Sequence, residues 1–239
     1  MVLQTIKLGI LQCDSVLPQF QEAFGNYPKM ITELFKQVDP TIELITYDVQ
    51  HGHYPEQIDE CDAYVTTGSK ASVYDNEEWI TQLETYFRQL HQARIKLIGI
   101  CFGHQLIAQA LGGKVQSAAQ GWGVGVHTNK FLNKPKWLNS DKNEFNLVVS
   151  HKDQVVELPD NTTVVAANTF CPYASLQIGE HIFTVQGHPE FSKTYSKTLM
   201  THRKKILGEA CFQQGIDSLS LPTDHLAFTQ WMIDFIKSA

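Results

Sequence analysis

Apolar runs rich in β-branched residues alternate with helical segments through the first half of this 239-residue chain. Each run is short and nearly continuous, which predicts buried strands at residues 6–12, 42–47, 63–67 and 95–100. Between them, residues 27–38 and 77–92 carry apolar side chains at three- and four-residue spacing, as in a helix with one buried face. Strands that alternate with helices require right-handed crossovers. The pattern therefore predicts an α/β fold with a mainly parallel sheet covered on both faces.

The second half of the chain has a different sequence pattern, in which short apolar runs are joined by turns. These runs predict an antiparallel extension of the same sheet, at residues 123–131, 146–150, 164–168, 174–178 and 182–186. Two closing helices are expected over residues 195–213 and 224–237, with Gly215 and Pro222 in a loop between them. Because no repeat or Pro/Gly/Ser-rich linker marks a boundary, we expect one domain over residues 1–239.

Charge and cysteine usage exclude several classes of protein. The 19 basic and 25 acidic residues give a net charge of −6 without a long basic run, which disfavours a nucleic-acid or anionic-membrane binder. The N-terminus has no leader-like pattern, and no apolar run approaches the roughly 18 residues that cross a bilayer, so a cytoplasmic protein is expected. The five cysteines are widely spaced without a CxxC pair, which predicts neither a disulfide framework nor a zinc site.

The stretch GICFGHQ, residues 99–105, places Cys101 between two glycines at the end of a predicted strand. A short helix is expected directly afterwards, over residues 105–111. A G-x-C-x-G pattern between a strand and a helix is the thiol form of the nucleophile elbow, and the helix N-terminus favours a thiolate. The alternative is a small buried cysteine with only a packing role.

The stretch VQGHPEF, residues 185–191, supplies a candidate base for that cysteine. His188 and Glu190 are separated by one residue, so their side chains point the same way on an extended segment, which Pro189 favours. A carboxylate in that position can fix the imidazole tautomer while the free ring nitrogen faces a thiol. The alternative is an ordinary surface turn.

In their order and approximate spacing, the two stretches resemble the motifs of the class I glutamine amidotransferase family. The resemblance extends from the first strand to about Phe191, and it implies a flavodoxin-like three-layer fold with an antiparallel extension of the sheet. It also implies that Cys101 is the nucleophile, His188 the general base and acid, and Glu190 the residue that orients His188. No cofactor and no metal are implied.

The same resemblance assigns residues around the nucleophile. Gly68 and Ser69 follow the third strand, where the family places an oxyanion-hole N–H, and the N–H of Phe102 is the expected second donor. Gln105 matches a family glutamine that contacts the substrate. An ordinary turn at the end of a strand is the alternative for Gly68.

Ser150-His-Lys-Asp153 resembles the family's SHxD stretch, which implies that His151 and Asp153 hold the amino-acid end of glutamine. A solvated polar turn is the alternative for this stretch. Trp122 matches a loop beside the family's pocket, or it belongs to the core. Because His51 and His53 lack a third nearby ligand, they are expected to lie in a surface loop, and the other four cysteines are expected to be buried without a catalytic role.

Within the family, the stretches around Asp153 and His188 are most similar to the glutaminase half of GMP synthase. Gly187 stands where the family commonly has Phe, and stand-alone γ-glutamyl peptidases share this glycine. No SGG-rich nucleotide loop or ATP-pyrophosphatase domain is recognisable, so we expect that the chain does not make GMP by itself. The expected function is a glutaminase that passes ammonia to a separate synthetase. The alternatives are a γ-glutamyl peptide hydrolase with the same triad and a non-enzymatic binding or sensor protein.

Overall fold

The computed structural model describes residues 5–238, which form a three-layer α/β structure. Its strands are β1 Lys7–Leu11, β2 Glu43–Tyr47, β3 Ala63–Thr66, β4 Lys96–Ile100, β5 Lys114–Ser117, β6 Gly123–Phe131, β7 Glu144–His151, β8 Asp153–Glu157, β9 Thr162–Ala167, β10 Ser175–Ile178 and β11 Ile182–Val185. Its helices are α1 Pro18–Phe24, α2 Tyr27–Val38, α3 Glu78–Gln92, α4 Phe102–Ala110, α5 Lys193–His202, α6 Lys204–Leu207, α7 Glu209–Ser218 and α8 His225–Lys237.

The central sheet has nine strands in the order β2-β1-β3-β4-β11-β10-β9-β6-β7. Neighbouring strands are parallel from β2 to β11 and antiparallel from β11 to β7. The parallel half has the doubly wound order of flavodoxin-like folds. The predicted sheet with an antiparallel extension is thus confirmed, although β11 belongs to the parallel half because it pairs in parallel with β4.

The two faces of the sheet are covered by different helices. On β4, Ile98 and Ile100 pack in the core formed with α2 and α8, whereas Leu97 packs in the core formed with α3 and α4. This alternation is the two-residue period of a strand that is buried on both faces. The predicted three-layer arrangement is therefore confirmed.

The helix predicted over residues 195–213 is wrong, because the chain forms three shorter helices there. Helix α5 ends at His202, and α6 ends before Gly208, whose φ of +77° and ψ of 159° suit only glycine. Gly215 lies inside α7 and not in a loop. A Cβ on Gly215 would lie 2.8 Å from Cγ2 of Val124, so the glycine lets α7 pack closely on β6.

Two features of the fold have only weak sequence signals, and neither is predicted from the sequence. Helix α1 spans only seven residues and has no buried side chain. Strands β5 and β8 form a separate antiparallel pair. Because β7 ends at His151 and β8 begins at Asp153, the SHxD stretch joins two strands; His151 is buried there and Lys152 is exposed. None of the helices in the described part of the chain is long and apolar enough to cross a bilayer.

Candidate active site

Cys101 occupies a tight turn between β4 and α4. Its backbone has a φ of +51° and a ψ of −97°, a strained conformation for a residue with a side chain. A Cβ on Gly99 would lie 2.9 Å from the carbonyl carbon of Gly103, and a Cβ on Gly103 would overlap the side chain of Thr66. The turn can therefore close only because both flanking residues are glycines.

Helix α4 begins directly after this cysteine, at Phe102. The N–H groups of its first turn have no acceptor within the helix and carry the positive end of the helix dipole. Cys101 is the N-cap residue, so its sulfur lies at that end of the helix. The side-chain amide of Gln186 also donates to the Cys101 sulfur, over 3.6 Å. The Gln186 amide is thus a hydrogen-bond donor to this sulfur, and the helix adds the field of its dipole.

His188 and Glu190 form a buried pair beside Cys101. The Nδ1 of His188 donates to Oε1 of Glu190 over 2.8 Å, and the imidazole stacks on Phe191 at 3.8 Å between ring centroids. The backbone N–H of His188 donates to the carbonyl of Val148 over 2.7 Å. Because His188 and Glu190 are only 4% and 8% exposed, the surface-turn alternative is wrong.

The protonation of His188 follows from its two partners. Burial alone would lower the pKa of this imidazole. The interactions of the ring with Cys101 and with Glu190 outweigh burial and raise the pKa to about 10. With Glu190 on Nδ1, the thiol lies on the side of Nε2. The interactions with Cys101 and Glu190 therefore favour the protonated, imidazolium form of the ring.

Gly68 lies against both His188 and Cys101. A Cβ at this position would lie 2.8 Å from Cε1 of His188 and 3.6 Å from the Cβ of Cys101. The residue follows β3, so Gly68, Cys101 and His188 come after three neighbouring parallel strands, at the edge where α/β sheets bind ligands. The fold thus brings the expected nucleophile, base and oxyanion-hole residues together.

A cavity of about 160 Å³ lies beside the Cys101 sulfur; we call it the inner cavity. Five residues predicted for the site line it, namely Ser69, Cys101, Gln105, His151 and Asp153. Trp122 lines it as well, so this side chain belongs to the pocket and not to the core alone. Gly68, Phe102, His188 and Glu190 are not part of its lining, although Gly68 lies close to both Cys101 and His188.

The SHxD stretch is fixed by several hydrogen bonds. The Nδ1 of His151 donates to the carbonyl of Asp153 over 3.1 Å, and burial lowers the pKa of His151 to about 3, so this ring is neutral. The carboxylate of Asp153 accepts from the hydroxyl of Ser72 over 2.5 Å and from that of Tyr74 over 2.9 Å. These bonds hold the segment that follows Gly68 against β8.

Three polar residues of the site, Ser72, Tyr74 and Gln186, are not predicted from the sequence. Ser72 and Tyr74 follow the third strand in a segment without a recognisable pattern, so only the fold shows their contact with Asp153. Gln186 accepts from the side chain of Gln105 over 3.0 Å and thereby links the inner cavity to the sulfur. Its position, two residues before His188 in VQGHPEF, is the signal that could have identified it.

The other four cysteines do not line the inner cavity, and neither do His51 and His53. Burial raises the pKa of the Cys171 thiol to about 12 and also raises the pKa values of Cys13, Cys61 and Cys211. Cys211 is only half-buried, contrary to expectation. His51 and His53 are exposed, as predicted, and no group of three potential metal ligands occurs in residues 5–238.

Comparison with known proteins places the chain in a family. The chain matches the family model described as glutamine amidotransferase class-I over residues 21–206. Gamma-glutamyl peptidase 2 of Arabidopsis thaliana is 26% identical over 226 residues, which cover 92% of this chain and 90% of the relative. A glutamine-hydrolyzing GMP synthase of Syntrophomonas wolfei is 27% identical over 199 residues, which cover 82% of this chain and 37% of the relative.

The fold has close counterparts among solved structures. The crystal structure of a glutamine amidotransferase from Thermotoga maritima superimposes with a TM-score of 0.75 at 15% sequence identity. The alignment covers 98% of this chain and 97% of that protein. At this identity the likeness shows a common fold alone.

Proposed function

This chain belongs to the class I glutamine amidotransferase family, and we propose that it hydrolyses the γ-amide bond of a γ-glutamyl compound. Cys101 would be the nucleophile, His188 the acid and base, and Glu190 the residue that orients the imidazole. The observation that carries the proposal is the buried His188–Glu190 pair next to a cysteine held at positive φ before α4. Nucleophile, base and orienting acid within hydrogen-bond reach are the pattern of an activated thiol.

In the first half of the proposed reaction, the Cys101 thiolate attacks the γ-carbonyl carbon of the substrate. The backbone N–H groups of Gly68 and Phe102 would stabilise the oxyanion that forms. His188 then gives its Nε2 proton to the leaving nitrogen. The C–N bond breaks, ammonia or an amine departs, and the γ-glutamyl group remains on Cys101 as a thioester.

In the second half, water cleaves the thioester. The imidazole of His188, now neutral, takes a proton from a water molecule whose oxygen attacks the thioester carbon. The C–S bond breaks, glutamate leaves, and the thiolate and imidazolium are restored. Glu190 keeps Nδ1 protonated throughout, so Nε2 alone exchanges protons.

The amino-acid end of the substrate would lie in the inner cavity. We assign Asp153 to the α-ammonium group, because among the described residues its carboxylate is the only acidic side chain on the lining of this cavity. Ser72 and Tyr74 hold that carboxylate in place. Ser69, Gln105 and His151 supply the remaining polar groups around the glutamyl moiety.

Two leaving groups fit this chemistry, and we favour an amino acid or peptide. The relatives named γ-glutamyl peptidases match over most of their length, whereas the GMP synthases match over about a third of theirs. Free glutamine remains the second candidate, because those GMP synthases are named for glutamine hydrolysis. In that case, a separate synthetase would take up the ammonia.

Glutamate release from purified protein tests the proposal. We expect release from γ-glutamyl dipeptides or glutamine without any partner, and its loss in Cys101→Ser, because an alkoxide forms far less readily than a thiolate. Cys171→Ser is the matched control, since Cys171 is buried and lies outside the inner cavity. Unchanged turnover in Cys101→Ser would refute the mechanism.

A further inference from the structure

The inner cavity opens toward a second, larger cavity of about 760 Å³, which we call the outer cavity. Trp122 and Lys152 line both, so the two cavities meet at these side chains. The inner cavity is smaller than the 300–1,000 Å³ that typically hold a whole small-molecule ligand. A substrate that fills it with a glutamyl group would therefore extend past Trp122 into the outer cavity.

Positive charge is concentrated at the junction. Among the described residues, neither Lys152 nor Arg203 has a carboxylate partner within salt-bridge distance, whereas Lys70 pairs with Asp14 over 3.2 Å. Arg203 instead donates to the hydroxyl of Ser150 over 3.1 Å and lies over the Trp122 ring at 5.6 Å. Two uncompensated cations beside one ring, in a chain of net charge −6, favour an anionic ligand group at this point.

The outer cavity itself has an apolar wall without acidic groups. Val124, Phe170 and Leu207 line it together with the Trp122 ring. Burial lowers the pKa of His127, which also lines this cavity. Among the described residues, no Asp or Glu side chain contributes to the lining, so nothing there would repel an anion.

We propose that the junction is a leaving-group subsite for amino acids and peptides that carry a free carboxylate. Lys152 and Arg203 would bind that carboxylate, and an apolar side chain of the leaving group would pack on Trp122 and Phe170. A leaving group larger than ammonia is an amine in this reaction, and the simplest amines with a carboxylate are amino acids and their peptides. The inference rests on the proposed function and specifies its substrate.

The test compares γ-glutamyl-phenylalanine with γ-glutamyl-phenylalaninamide, which differ only in the terminal carboxylate. For the wild type, we expect kcat/KM to be roughly tenfold higher for the acid, the size of a charge-assisted contact. In Lys152→Met the ratio of kcat/KM for the acid to kcat/KM for the amide should fall about fivefold. Added salt should bring the wild-type ratio closer to one. Lys136→Met, which removes an exposed lysine outside both cavities, should keep the wild-type ratio.

Two outcomes separate the inference from the function on which it rests. Equal kcat/KM for both peptides in the wild type, or an unchanged ratio in Lys152→Met, would overturn the subsite while leaving the hydrolase intact. An unchanged ratio in Lys152→Met would mean that Lys152 acts on the glutamyl end of the substrate. If the wild type releases no glutamate from either peptide or from glutamine, both the subsite and the proposed function are overturned.

Discussion

At the scale of single residues, the proton on His188 is the centre of the proposed chemistry. The two groups that raise the pKa of this ring would differ in kind, because the proposed reaction changes the charge of Cys101 and leaves that of Glu190 unchanged. In the proposed reaction, the sulfur loses its negative charge when it bonds to the γ-carbon in the tetrahedral intermediate, and only Glu190 then still favours the protonated ring. This bond formation would therefore lower the pKa of the ring just before it must give its proton to the leaving nitrogen.

Replacing the Glu190 carboxylate by an amide, in Glu190→Gln, should shift the pH dependence of the reaction. The wild type should lose activity as pH rises through about 10, where His188 becomes neutral and has no proton for the leaving nitrogen. The amide oxygen can still accept from Nδ1, but the negative charge is gone, so the alkaline limb should move down by roughly 1–3 pH units. The measurement is the pH profile of kcat/KM, with the exposed Glu22→Gln as control. An unmoved limb would show that Glu190 does not control this proton.

Asp153→Asn should separate substrate binding from catalysis. The substitution keeps the shape of the side chain but removes the charge that we assign to the α-ammonium group. Because that contact is the same in the ground and transition states, KM should rise about tenfold to a hundredfold with little change in kcat. Saturation curves with a γ-glutamyl substrate and its N-acetyl derivative measure this, and the N-acetyl derivative should be insensitive to the substitution.

The double variant Ser72→Ala/Tyr74→Phe is the control for this prediction. It removes the two hydroxyls that donate to Asp153 and keeps the charge. If Asp153 acts only by holding the segment that follows Gly68, this variant will reproduce Asp153→Asn and affect both substrates alike. Equal losses of kcat in the two variants would thus contradict the assignment to the ammonium group.

At the scale of elements, the sequence predicts what depends on local pattern. Residues 27–38 form α2 as expected, since their apolar spacing matches the face that α2 buries. The prediction of one long helix over residues 195–213 fails because the apolar periodicity continues across Gly208. The backbone of this glycine ends the helix without interrupting the apolar pattern. Strands β5 and β8 pair across a long interval of the chain, and no local signal specifies that pairing.

The close packing of the turn between β4 and α4 predicts how a substitution there changes the free energy of unfolding. Gly103→Ala should favour α4 by up to about 1 kcal/mol from helix propensity. It should nevertheless destabilise the fold by about 1–3 kcal/mol, because the new Cβ overlaps the Thr66 side chain. Urea unfolding of Gly103→Ala, Thr66→Ala and the double variant measures the coupling, and the double variant should lose less than the sum. Strict additivity would mean that the two side chains do not compete for this space.

At the scale of the whole molecule, the site is an assembly that no single stretch contains. The motifs at Cys101 and His188 are recognisable because each is local and chemically unusual. That the two motifs come together in space is predictable only from the parallel sheet, because each motif follows one of two neighbouring strands, β4 and β11. The contacts of Asp153 with Ser72 and of Arg203 with Trp122 join distant segments of ordinary composition, so the sequence alone could not predict them.

The same three-dimensional arrangement predicts which of the five thiols reacts. Cys13, Cys61 and Cys171 are buried in the described fold, and burial also raises the pKa of the half-buried Cys211. Cys101 alone of the five lines the inner cavity. The glutamine analogue 6-diazo-5-oxo-norleucine, an electrophile that needs a reactive thiolate, should therefore label Cys101 and no other cysteine of the native protein.

Peptide mapping by mass spectrometry measures this selectivity. Glutamine should slow the labelling if the analogue binds in the inner cavity, and iodoacetamide on the unfolded chain should modify all five cysteines, which confirms that each is detectable. Cys211 is the informative competitor, because it lines the outer cavity and is the least buried of the other four thiols. An adduct on Cys211 that glutamine does not suppress would show that exposure, and not activation beside His188, decides which thiol reacts. Labelling confined to Cys101 would instead show that reactivity depends on the position of this sulfur, at the start of α4 and beside His188. The other four thiols, whose pKa values burial raises, would then stay protonated and unreactive.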